Sequence, residues 1–165
     1  MSGEKLTIVH TERNNRLVTS VKSLDKFMER ITKDDAKGTI TQFRNYVPYM
    51  TLGYDGYKDM PKWMHVMPAA VFQKAENGTL VMKHNNGILL FTLAEIQGEA
   101  GLEGAKQKVA ALPSTLAAFL SADGKMLHVL VKYTLADGKL PDDEQAAKSS
   151  YLSAFYNFAP IYLAL

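Results

Sequence analysis

Residues 87–96, GILLFTLAEI, are apolar at almost every position, and Glu95 is the only charge among them. A strand with one face in water alternates apolar and polar side chains, whereas a strand covered on both faces does not. The run therefore predicts a central strand buried on both faces. A chain organised around it needs a layer above and a layer below. With 165 residues, 47% of them hydrophobic and 22% charged, the sequence can fill such a core within one domain and is not a disordered polar tract.

The other segments supply candidates for those layers. KLTIVH (5–10) and RLVTSV (16–21) flank polar ERNN, a pattern for a β-hairpin. Ser23 stands where a helix cap is expected, and Leu24, Phe27, Met28 and Ile31 follow on one helical face. Asp34 to Gly38 breaks that helix, and a second helix is expected over 39–47. HVMPAAVF (65–72) reads as extended, with Pro68 suited to an edge position. Asn77-Gly78 signals a tight hairpin into GTLVMK (78–83). A helix is expected over 99–111, ended by Leu112-Pro113. In 119–133, FLSADGKMLHVLVKY, two apolar runs flank turn chemistry at Ser121, Ala122, Asp123, Gly124 and Lys125. Asp142 and Asp143 open a last helix, where their charge suits the N-terminus. Its apolar face carries Ala147, Tyr151, Ala154, Phe155 and Phe158, and Pro160 is expected to end or kink it. Hairpins with helices between them indicate an α+β fold, a largely antiparallel sheet with flanking helices, in a single domain over 1–165.

Composition narrows the function classes. No apolar run reaches the ~20 residues of a membrane-spanning helix. The start, MSGEKLTIVH, lacks the basic and apolar regions of a secretory signal. The absence of cysteine removes disulfides, zinc–thiolate sites and thiol nucleophiles, and is compatible with the cytoplasm, the expected compartment. Net charge is +2, from 19 basic and 17 acidic residues. That balance permits nucleic-acid contact without indicating it. The four histidines, at 10, 65, 84 and 128, show no metal-ligand spacing, and no P-loop, GxGxxG or Gly-x-Ser-x-Gly elbow is present. Neither a metal nor a cofactor is expected. The aromatic connector 49–64 offers Tyr54, Tyr57 and Trp63 as candidate stacking residues for bases; the plainer reading is core-edge packing.

The segments MPAAVF, GTLVMKHNNGILLFTLAEI and LPSTLAAFLSADGKMLHVLVKY, in that order, resemble the N-terminal domain of VirE-type mobile-element proteins, which is related to the archaeo-eukaryotic primases. The resemblance runs from about Val18 to about Ile161. It implies a primase-like fold. It also implies a strand with two aspartates at i and i+2, which hold Mg²⁺ for nucleotidyl transfer. A serine–glycine loop follows, with a basic or histidine residue entering the next strand. Gly87 matches the turn glycine, and the aspartate positions fall on Thr92 and Ala94. Ser121, Gly124 and His128 match the second segment. Lys125, in the turn, and Lys132, with the strand parity of His128, are candidate phosphate contacts. A third polar segment, beyond Leu165 in such proteins, is expected to be missing.

With neither aspartate present, the resemblance implies a catalytically degenerate primase-like domain. Its expected role is binding or assembly in mobile-element DNA replication. Single-stranded nucleic acid and a P-loop helicase or ATPase are the expected partners. Two alternatives stay open: an active nucleotidyltransferase with displaced carboxylates such as Glu95, Glu99 or Asp123, and a protein-interaction domain without a nucleic-acid role.

Overall fold

The computed structural model describes residues 3–11, 17–33, 40–41, 43–45, 65–94 and 96–164. The N-terminal hairpin forms as expected: β1 (Lys5–Thr11) pairs antiparallel with β2 (Leu17–Ser23). Helix α1 (Leu24–Lys33) follows at once, and the Ser23 Oγ accepts a hydrogen bond from the Lys26 N–H at 3.3 Å, the cap expected there. Helical backbone also occurs at 40–41 and 43–45, within the span expected for a second helix.

The extended run at 65–72 divides at Pro68, which has no N–H to give a ladder. Strand β3 (His65–Met67) joins β1, while β4 (Ala70–Lys74) pairs with β5 (Leu80–Asn85) in a separate sheet. The β4–β5 turn is the one signalled by Asn77-Gly78, with Gly78 at φ +87° and its N–H bonded to the Ala75 carbonyl.

The third sheet is antiparallel in the order β6-β8-β7, from β6 (Ile88–Leu93), β7 (Thr115–Leu120) and β8 (Leu127–Lys132). Between β6 and β7 runs α2 (Gly98–Ala110), and α3 (Glu144–Leu163) closes the described chain. The expected α+β architecture is present, with the strands of the described residues divided among three small antiparallel sheets.

Alternation along β6 explains its composition. Leu89, Phe91 and Leu93 face α2 and α3 in a core with Val129, Val131, Val109, Ala154 and Tyr162. Ile88 and Leu90 face the opposite way, toward Leu6, Leu24, Phe27 and Met28 of β1 and α1. The expectation of double coverage therefore holds. The expectation of a central position does not: among the described residues β8 is the central strand, and β6 lies at the sheet edge. Burial on both faces follows from layers stacked on a sheet, and it does not require a neighbour on each side.

Pro160 does not end α3, which continues to Leu163. A proline here removes one bond, to the carbonyl of Tyr156, and that residue is 73% exposed, so water can serve the freed oxygen. The extra turn places Tyr162 in the core, stacked on Phe91 at 5.2 Å, with its hydroxyl 2.8 Å from Thr115 Oγ1.

Candidate functional site

The pairing of β6 with β8 sets the site. Tyr133 N–H donates to the Gly87 carbonyl, so this pair and every second pair after it are the hydrogen-bonded ones. Thr92 opposite His128 is then a non-hydrogen-bonded pair, where side chains approach most closely. Thr92 Oγ1 lies 3.0 Å from His128 Nδ1, and either atom can be the donor. Across the other edge of β8, Phe119 stands opposite His128 with ring centroids 5.6 Å apart. Phe27 of α1 meets Phe119 edge-on at 5.6 Å. The imidazole thus sits between a hydroxyl and an aromatic wall. Burial lowers its pKa below the ordinary 6.5, against the weaker opposing pull of the Asp123 carboxylate. At neutral pH the ring is uncharged.

The β7–β8 turn beside it is tightly bonded. Ser121 N–H donates to the Met126 carbonyl at 2.8 Å, and Gly124, at φ +74°, donates to the Ser121 carbonyl at 2.9 Å. The buried Ser121 hydroxyl accepts from the Met126 N–H and donates to Asp123 Oδ1. The same carboxylate oxygen accepts from the Lys125 N–H at 3.1 Å. Partial burial raises the Asp123 pKa, but the bonds from Ser121 and Lys125, with the Lys125 charge, outweigh it and leave the carboxyl below its ordinary value. Arg44 grips the turn from outside, its Nε donating to the Ala122 carbonyl at 3.0 Å. The Lys125 side chain is exposed.

Thr92, His128, Ser121, Gly124 and Lys125 are therefore brought to one end of the β6-β8-β7 sheet. Ala94 lies exposed just past the end of β6. Lys132 is elsewhere, four residues along β8 or about 13 Å away. Its ammonium is held by Glu4 Oε1 at 2.7 Å and by the Asn86 carbonyl at 2.6 Å. Tyr54, Tyr57, Trp63 and Glu95 lie outside the described residues, and Glu99 falls in α2. Among the described residues, no group of three or more His, Asp or Glu side chains could hold a metal ion. A cleft of about 430 Å³ opens beside the end of β6, lined by Thr92, Leu93 and Ala94 together with Gly101, Gly104 and Lys108 of α2 and Leu163 of α3.

Sequence reasoning missed the residues that lock this arrangement. Asn86 is buried, and its side-chain amide donates to the Lys5 and Pro68 carbonyls at 2.6 and 2.9 Å. Its own N–H donates to the Ala69 carbonyl. The signal was present in the run Asn85-Asn86-Gly87, which is turn chemistry directly before the apolar strand. Nothing in the sequence marks Arg44 or Glu4, because their partners are distant in the chain.

Among the described residues, no helix is long and apolar enough to cross a membrane. A family model described as "BT4734-like, N-terminal domain" matches residues 58–165. No curated protein and no solved structure matches the chain.

Proposed function

We propose that this chain, which belongs to the family of BT4734-like N-terminal domains, is a catalytically degenerate primase-like module that binds single-stranded nucleic acid. The reading starts from the sequence resemblance to primase-related domains. One observation supports it above the others: Thr92 pairs directly with His128. Thr92 came from the segment matched to a metal-binding strand, and His128 from the segment matched to a phosphate-facing loop. Two segments matched separately in sequence meet on one face.

The chemistry at that face suits binding. A hydroxyl, a neutral imidazole and the exposed Lys125 can serve phosphate oxygens by hydrogen bond and charge. Threonine and alanine offer Mg²⁺ no carboxylate where nucleotidyl transfer needs one. The role is then recognition or assembly in mobile-element DNA replication, in the cytoplasm, beside a P-loop helicase or ATPase.

Fluorescence anisotropy with a labelled single-stranded oligonucleotide tests this. Binding is expected to be weak, insensitive to sequence and weaker as salt rises. The Lys125→Ala, His128→Ala double variant is expected to lose it. No binding at low salt, or binding unchanged in that variant, sinks the reading and leaves a protein-interaction role ahead.

A further inference from the structure

A sheet edge presents a row of unpaired backbone donors and acceptors that templates another strand, and folded chains blunt such edges with lysines, prolines, bulges or short strands. Among the described residues every sheet edge but one carries such a device. β2 carries Lys22, and β3 spans three residues and stops at Pro68. β4 has a bulge at Val71/Phe72 and ends in Lys74, β5 carries Lys83, and β7 breaks register between Thr115 and Ala117. β6 has none of these. Its six pairs with β8 run without a shift, and no charge or proline occurs from Gly87 to Ala94.

The free side of β6 can be read from its register. Leu89, Phe91 and Leu93 turn their backbone groups to β8, so Ile88, Leu90 and Thr92 turn theirs away. Ile88 is fully covered, Leu90 is half-buried, and Thr92 and Ala94 are exposed. The edge is therefore open over 90–94. Next to the opening lie the cleft and the end of α3, where Ile161 is 50% and Leu163 is 63% exposed. No charged residue occurs from Ser149 to Leu165.

We infer that the open edge of β6 pairs with the same edge of a second copy of this chain, antiparallel, across a two-fold axis at Thr92. Antiparallel edges are self-complementary under a two-fold, and an isologous contact closes after two subunits. Residues 87–94 and 149–163 carry no charge and meet no like-charge repulsion from their own copy, and the charges flanking them, Glu95 in sequence and Lys108 in the cleft, are of opposite sign. Thr92 would exchange both backbone bonds with Thr92 of the second copy, and Leu90 with its Ala94. The ends of the two α3 helices would meet along the same seam and cover each other's Leu163. One sheet of order β7-β8-β6-β6-β8-β7 results. Where the nucleic-acid reading holds, and this clause rests on it, the two His128 faces lie on the same side of that sheet, about three strand spacings or ~14 Å apart.

Sedimentation velocity without nucleic acid, with far-UV circular dichroism as the folding control, tests the pairing independently of that reading. Wild type is expected at twice the chain mass. Leu90→Pro removes an N–H that β8 does not use, and Ala94→Pro alters a residue outside the strand; both are expected to sediment as monomers. If Leu90→Pro does not fold, Ala94→Pro carries the test. The Val81→Glu variant, which charges an exposed residue of β5 in another sheet, is expected to stay dimeric, as is Lys125→Ala, His128→Ala. Monomeric wild type, a dimer that survives Ala94→Pro, or a dimer lost only in Val81→Glu overturns the inference.

Discussion

Gly87→Ala tests how the β5–β6 corner fixes the site. Gly87 has φ +60°, a left-handed conformation that costs alanine about 1–2 kcal/mol. A Cβ built there meets the Tyr133 carbonyl oxygen at 2.5 Å and the Leu140 methyls at 2.8 and 2.9 Å. The leucine end can turn aside. The carbonyl cannot, because the same tyrosine's N–H is bonded to the Gly87 carbonyl at 2.8 Å. Overpacking of this kind adds about 1–3 kcal/mol. The expected loss is the sum, about 2–5 kcal/mol, a large part of the stability of an ordinary domain. At roughly 2–4 °C per kcal/mol for a chain of this size, the melting temperature should fall by about 4–20 °C. Gly138→Ala is the control: φ is +74° and the built Cβ meets nothing within 4 Å, so it bears strain alone. Urea and thermal melts of both variants separate the terms. A Gly87→Ala loss no greater than that of Gly138→Ala would refute the close approach to Tyr133.

His128 titrates below 6.5, so as pH falls the unfolded chain takes the proton first. Stability should be complete above that value, decline below it, and level off once the folded ring titrates. Asp123, also lowered, acts in a separate window: its contribution is present above its ordinary 3.8 and lost as pH falls through the folded value. Urea midpoints between about pH 8 and pH 5 should drop in wild type and stay level in His128→Gln; a flat wild-type profile counts against the buried imidazole. Thr92→Asp should place a carboxylate beside His128 and raise the imidazole pKa, which NMR titration reads directly; no rise would mean that the two side chains do not meet. With Ala94→Asp added, Mn²⁺ should recover part of any lost melting temperature; indifference to Mn²⁺ would place these positions away from a metal pocket.

The local elements were legible because their causes are local. Ser23 marks its own helix start, Asn77-Gly78 its own turn, and the apolar run of β6 its own burial. The sheet order was not legible, since burial reports coverage above and below a strand and is silent about its neighbours. Tyr162 escaped notice because Pro160 suggested a helix end, and only the tertiary position of α3 shows the proline to be harmless there. Within the site, Thr92 and His128 could be named from sequence, but their contact follows from a register that only the folded sheet sets. Lys132 shared the strand parity of His128, yet its ammonium is held by Glu4, a residue 128 positions away, which no pattern in the neighbourhood of Lys132 announces.

That bond sets a timetable for synthesis. The first strand leaves the ribosome before any of its fixed partners outside the hairpin exist. Thr7 waits for Ala70 and Phe72, the Lys5 carbonyl waits for Asn86, and Glu4 waits for Lys132. An emerging chain can close its N-terminal hairpin early, but a two-stranded ribbon is marginal alone. Helix α1 can pack on Leu6 at once, but β1 gains β3 and the Thr7 bonds only after residues 65–72 are made, and its last bond only with Lys132. Loop closure over such separations is slow relative to local helix formation. The hairpin is thus made before the residues that secure it, and a chaperone acting during translation would meet β1 while its bonds to Ala70, Phe72, Asn86 and Lys132 are still unmade.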